Sequence, residues 1–137
     1  MESFIVSNDF TRLDIPMIHQ FLSERSYWAK GRSLEVVQVS IANSICFGVY
    51  NNAGKQVGFA RVVTDYAVFG WLMDVFILED YRGKGLGKLL TKEVTEHLAI
   101  KNLRRIGLGT ADAHGFYEQY GFSRIPKPEN MMEKLRT

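Results

Sequence analysis

The stretch DVFILEDYRGKGLGKLLTKEV, residues 74–94, decides how the rest of the chain is read. It begins as an apolar run rich in β-branched and aromatic residues and breaks at the charged turn Glu79, Asp80, Tyr81, Arg82. Three glycines interleaved with lysines follow, and then leucines at helical spacing. A helix N-terminus leaves backbone N–H groups unpartnered and carries a partial positive charge, and both suit an anion. Gly83, Gly85 and Gly87 let those N–H groups approach a phosphate with no Cβ in the way, and Arg82, Lys84 and Lys88 add formal charge around the same point. Two adjacent phosphates would satisfy this set of donors.

Spacing separates the phosphate loops that compete for this pattern. A Walker A loop fails twice, because Arg82 stands where its first glycine belongs and Leu89 follows Lys88 where Ser or Thr belongs. A dinucleotide fingerprint fails too, since it would place its last glycine at Lys88 or at Leu90. What remains is Arg-x-x-Gly-x-Gly, filled by Arg82, Gly85 and Gly87.

Working outward, residues 4–7 read as a first strand. Asp14 stands as an N-cap with Pro16 in the first turn, and Ile15, Ile18, Phe21 and Leu22 recur at helical spacing. YWAKGRS interrupts that helix; Ser33 caps a second, carrying Leu34, Val37 and Ile41 and closed by Asn43 and Ser44. The period then changes. ICFGVY and QVGFARVV read as strands joined by the turn NNAGK, and WLMDVFIL continues the meander. Beyond the glycine loop, Leu86, Leu89, Leu90, Val94 and Leu98 mark a helix running to about Ile100. RIGLGT, apolar on both faces, reads as a strand in the middle of a sheet covered by helices. A short helix over 113–120 ends at Gly121, a suitable αL cap, and edge strands over 122–125 and 131–135 are expected to finish the chain.

Composition bounds the function. The 137 residues fit one domain, spanning 1–137, with 46% hydrophobic and 23% charged residues and no apolar run long enough to span a bilayer. The first ten residues lack the basic-then-apolar pattern of a signal peptide, so a cytoplasmic protein is expected. Cys46 is the only cysteine, which excludes an intramolecular disulfide and a thiolate metal cluster within one chain, and its apolar neighbours point to core packing. His19 and His97 have no paired ligands, so no metal is expected. The net charge is +2, and the basic residues Arg82, Lys84, Lys88, Lys92, Lys101, Arg104 and Arg105 are interleaved with Glu93 and Glu96 without a recognised nucleic-acid motif. Neither a nucleic acid nor a membrane is expected as a partner.

VFILEDYRGKGLGKLL resembles the acyl-CoA-binding motif of the GNAT acetyltransferases, and DAHGFYEQYGF resembles the later motif of that family, a short helix that carries a Tyr and ends in Gly-Phe. The two stand in the family's order, covering residues 71–122. The resemblance implies a small, bacterial-type, single-domain member with an α/β (α+β) fold. Its sheet would be mixed, mostly antiparallel and of six to seven strands, flanked by about four helices, with a splayed strand pair holding acyl-CoA. Arg82, Gly83, Lys84, Gly85, Leu86 and Gly87 would cradle the pyrophosphate with Lys88 close by, and Val75, Phe76 and Ile77 would lie along the pantetheine arm. The Val75 N–H would face the thioester oxygen, where charge develops. Tyr117 matches the family tyrosine near the CoA sulfur, a chemically sensible general acid toward a departing thiolate. The implied activity is direct transfer of an acetyl group from acetyl-CoA, the co-substrate, to a primary amine of a small molecule or peptide. The alternative is a non-catalytic acyl-CoA sensor or interaction module, and the analogy allows a homodimer.

Departures from the family pattern matter as much. Trp71 occupies the position where some members carry a Glu base; Asp74, three residues on, is turned by strand alternation to the other face, and Asp65 is the other candidate base. Thr110 stands where an Asn often contacts CoA. His114, one turn before Tyr117, is a candidate proton carrier or substrate contact. Tyr27, Trp28, Tyr66, Phe69 and Trp71, beside Glu24, Glu35 and Asp65, would suit a cationic amine.

Overall fold

A computed structural model describes residues 2–136. Asp14 starts α1 (Ile15–Gln20) as its position predicts, its carboxylate accepting the Met17 N–H at 3.1 Å. The helix runs on into a wider π turn, Phe21–Arg25, which buries Phe21 and Leu22. Ser33 caps α2 (Leu34–Ala42) by accepting the Val36 N–H at 3.2 Å. Next comes α3 (Leu86–Glu96), whose buried stripe is Leu86, Leu90 and Val94. It stops short of Ile100: His97 takes extended backbone angles and its Nδ1 accepts the Ala99 N–H at 3.1 Å, leaving Leu98 78% exposed. The last helix, α4 (His114–Glu118), is shorter than the 113–120 span expected and is followed by Gly121 at φ +90°.

The sheet is mixed and mostly antiparallel, as expected, but among the described residues it has five strands instead of six or seven: β1 (Ile5–Ser7), β2 (Ile45–Tyr50), β3 (Gln56–Thr64), β4 (Phe69–Ile77) and β5 (Arg105–Leu108), in that spatial order. The first four pair antiparallel, while β5 lies parallel to β4 because α3 carries the chain back between them. The expected strands over 122–125 and 131–135 do not form. Met132 and Leu135 are largely exposed, and apolar alternation yields a strand only where a neighbouring ladder and a buried face receive it. RIGLGT is correspondingly an edge strand, not a middle one.

The register assigns the two faces of the sheet. Phe59 pairs with Phe76, and Phe76 stacks on Phe21 at 3.9 Å, so the α1 side covers that face. Ala60 and its partner Phe47 point the other way, where Phe47 meets the His97 ring at the end of α3. Cys46 is buried against Ile41, and burial pushes its thiol up to about 12, which keeps it a packing residue.

Two outcomes follow from this packing. Leu90→Ala, at a position with no exposure, should lower the unfolding free energy by roughly 2–5 kcal/mol in a urea titration. Cys46 should react with a thiol reagent at neutral pH only after denaturant is added; fast labelling of the native protein would contradict its burial.

Candidate functional site

The glycine loop is bent by two left-handed residues, Gly83 at φ +80° and Gly85 at φ +79°, the second being the N-cap of α3. A side chain at either would meet no neighbour, so the requirement there is conformational. Gly87 differs: it lies inside the helix, and a Cβ there would stand at ordinary contact distance, 3.7 Å, from the Phe116 ring. The first intrahelical bond reaching back to the N-cap is Leu89 N–H to the Gly85 carbonyl, so the preceding N–H groups are left for another acceptor. Lys84 makes an exposed 2.9 Å ion pair with Glu2, and Lys88 does not line the cleft described below.

Immediately before this loop the sheet opens. Strands β4 and β5 pair only from Phe69/Arg105 to Leu72/Leu108, and β4 then continues to Ile77 paired on its β3 side alone. The Leu78 N–H donates to the Val57 carbonyl at 2.8 Å on the β3 side, and backbone groups alternate sides along a strand, so those of Ile77 and Val75 face the open edge. One is already engaged, because Arg82 Nε donates to the Ile77 carbonyl at 3.0 Å.

The register slips between Phe59 and Arg61 because β4 carries an extra residue, and Asp74 absorbs it at φ +56°. This overturns the expectation that alternation turns Asp74 away from the Trp71 face. Trp71 pairs with Val63, Arg61 lies two residues along the same face, and Asp74 reaches Arg61 there. Its carboxylate is buried and held by three donors: Arg61 Nε at 2.9 Å, Arg32 at 2.8 Å and the Trp28 indole N–H at 2.9 Å. Asp74 is thus an anchor and a poor candidate for the base. Asp65 fails differently: its Oδ1 accepts the N–H groups of Val68, Ala67 and Phe69, which hold its pKa below the ordinary value and fix the β3–β4 turn.

Two clefts flank α4. The narrower, about 540 Å³, brings together Val75, Phe76, Ile77, Arg82, Gly83, Gly85, Leu86 and Gly87 with Phe21, Trp28 and Tyr81, closed by Ala113 and Phe116 of α4. The wider, about 910 Å³, opens beside β5 and takes Trp71, Thr110, His114 and Tyr117 with Glu118. The candidates therefore divide, with Thr110 and Tyr117 on the wider side and Trp28 on the glycine-loop side. Thr110 Oγ1 accepts the Ala113 N–H at 3.1 Å, which fixes the turn leading into α4. Tyr117 packs edge-on against Phe122, and burial raises its phenol pKa, with Tyr27 adding to the rise. Tyr117 also meets the Phe116 ring edge-on with 5.1 Å between centroids, and Phe116 lines the narrow cleft. Trp71 stacks on Phe69 and lies where any Gly107 side chain would collide with it. Glu24 lies beside Asp14 and His19 on α1 and lines neither cleft. Sequence reasoning missed Arg32 and Arg61, which carry no motif and gain meaning only through Asp74.

Residues 42–124 match the acetyltransferase (GNAT) domain model. A candidate acetyltransferase of Gibberella zeae is 32% identical over 128 residues, covering 80% of this chain and 72% of that protein. The uncharacterised N-acetyltransferase ycf52 of Gracilaria tenuistipitata var. liui is 31% identical, covering 72% of this chain and 57% of its own length. Among solved structures, a candidate GNAT-family acetyltransferase of Xanthomonas campestris pv. campestris superposes with a TM-score of 0.94 at 45% identity, over 98% of this chain and 94% of that one. Rv2747 of Mycobacterium tuberculosis, solved in complex with CoA, shares the fold with a TM-score of 0.71 at 18% identity, over 88% of this chain and 72% of that one.

The two kinds of glycine should separate experimentally. Gly85→Ala should cost about 1–2 kcal/mol of stability through its left-handed backbone, whereas Gly87→Ala should keep or raise stability, since alanine favours a helix. Any loss of ligand binding in Gly87→Ala then reports the cleft and not the fold. Asp74→Ala should destabilise by about 3–5 kcal/mol in chemical denaturation, because two guanidinium groups lose their shared counter-charge.

Proposed function

The chain belongs to the GNAT acetyltransferase family, and we propose that it is a single catalytic domain that moves an acetyl group from acetyl-CoA directly to a primary amine. One observation carries the proposal: the open edge of β4 and the N-terminus of α3 line the same narrow cleft. A pantetheine arm has amides that can pair with the exposed backbone of Val75 and Ile77 as an added strand. A pyrophosphate has oxygens for the free N–H groups at Gly85, Leu86 and Gly87. The CoA complex of the similarly folded Rv2747 supports this reading.

In this reading the Val75 N–H, turned outward beyond the bulge, meets the thioester oxygen as charge develops on it. Tyr117 supplies the proton to the departing thiolate; its raised pKa keeps the phenol protonated through neutral pH, as an acid must be. With Asp74 anchored and Asp65 held in its turn, His114 is the proton acceptor on the amine side, three residues from Tyr117 on the same helix and in the same cleft. The acceptor enters the wider cleft beside Trp71, which stacks on the exposed Phe69 and offers an aromatic face suited to a cationic amine.

Calorimetric titration tests the first half: acetyl-CoA should bind while ATP and NAD bind far more weakly, and equal binding of all three would defeat the proposal. The second half is read from amine-dependent release of CoA. Tyr117→Phe should leave acetyl-CoA binding in place and slow turnover by on the order of 10²-fold. In the wild type, the alkaline fall in rate due to this phenol should lie above its ordinary pKa of about 10. His114→Asn should slow amine-dependent turnover while leaving acetyl-CoA binding in place. Unchanged turnover in Tyr117→Phe across pH would remove its role as acid.

A further inference from the structure

The narrow cleft has two ends of different chemistry. At one are the glycine loop and Arg82; at the other is Trp28, bonded to Asp74 on the far side of Val75, and Phe21 and Phe76 lie between the two. If the phosphates occupy the first end, whatever is joined to the thioester sulfur extends toward the second. Phe21 and Phe76 form a rigid floor between the two ends, their rings stacked at 3.9 Å. The wall is Trp28, which belongs to the connection between α1 and α2.

A surface tryptophan in a connecting segment would ordinarily swing aside for a bulkier guest. Trp28 is tied instead. Its indole N–H donates to Asp74 Oδ1 at 2.9 Å, while Asp74 Oδ2 is gripped by Arg61 and Arg32. Arg61 is itself buried and further fixed by donating to Ser44 Oγ at 3.1 Å. Arg32 comes from the same connection as Trp28, so the carboxylate latches that segment at two points, four residues apart. To displace the indole, a guest would have to break a hydrogen bond to a buried carboxylate, which is costly when the acceptor has no water to replace the donor.

We infer that Trp28, latched by Asp74, closes the acyl end of the cleft and restricts the donor to short acyl-CoA thioesters. This rests on the acyl-CoA reading above and adds to it the class of donor and the residue that selects it. The latch makes Asp74 a positioning residue, acting on the donor only through Trp28. A flat aromatic wall fixed at one edge admits an acetyl group but clashes with each further methylene, and one methylene in a closed apolar pocket is worth about tenfold or more in discrimination.

The test compares free CoA, acetyl-CoA, butyryl-CoA and octanoyl-CoA by calorimetry, on the wild type, Trp28→Ala and Trp28→Phe. The wild type should bind octanoyl-CoA at least about tenfold more weakly than acetyl-CoA. In Trp28→Ala the ratio of the two dissociation constants should collapse toward one or invert. Trp28→Phe keeps a ring but loses the N–H bonded to Asp74, so its ratio should fall between; it also serves if the alanine variant folds poorly. Equal wild-type affinity for all chain lengths, or an unchanged ratio in both variants, would overturn the inference while leaving CoA binding intact. If no thioester and no free CoA binds the wild type, the proposed function falls first and the donor gate with it.

Discussion

Everything around the candidate site depends on one buried carboxylate. Asp74 sits at the extra residue of β4, in a backbone conformation that side-chain-bearing residues seldom adopt, and is held there by Arg61 of β3 and by Arg32 and Trp28 of the α1–α2 connection. Burying Asp74 with Arg61, and half-burying Arg32 beside them, is not in itself a strong source of stability, because desolvation offsets most of the attraction. What the cluster supplies is register. With Asp74 bonded to Arg61, β4 cannot slip against β3, and the bulge fixes which backbone groups beyond it turn toward the open edge.

The opening of that edge follows from topology. A strand that returns parallel to its neighbour needs a crossover helix, and here the crossover is α3, whose N-terminus therefore begins beside the strand that precedes it. Because β5 is four residues long and β4 nine, their pairing ends midway and leaves Val75 and Ile77 unpaired on the β5 side. A donor-rich helix end and an unpaired strand edge are thus brought together by chain connectivity, in a geometry suited to a ligand that is anionic at one end and amide-bearing along its length.

Helix α4 divides the chemistry. Facing one way it offers Ala113 and Phe116 to the narrow cleft; facing the other it offers His114 and Tyr117 to the wide one. Donor and acceptor would approach from opposite sides and meet where β4 and β5 part. Tyr117, packed against Phe122 with its phenol made less acidic by burial, lines the wide cleft.

The glycine loop was readable from the chain alone because its physics is local: left-handed backbone at Gly83 and Gly85, the helix end that follows, and the spacing to Arg82 involve only neighbours in sequence. The helix caps at Asp14 and Ser33 were readable for the same reason. The side on which Asp74 lies was not, since a single inserted residue reverses strand alternation and is specified by Arg61 and Arg32, 13 and 42 residues away. Nor was the absence of strands after Phe122, because alternating apolar residues form a strand only if a ladder is there to receive them. Sequence by itself determined the family and the glycine loop. Tertiary structure alone decided which side chains line each cleft, because that depends on contacts between residues far apart in the chain.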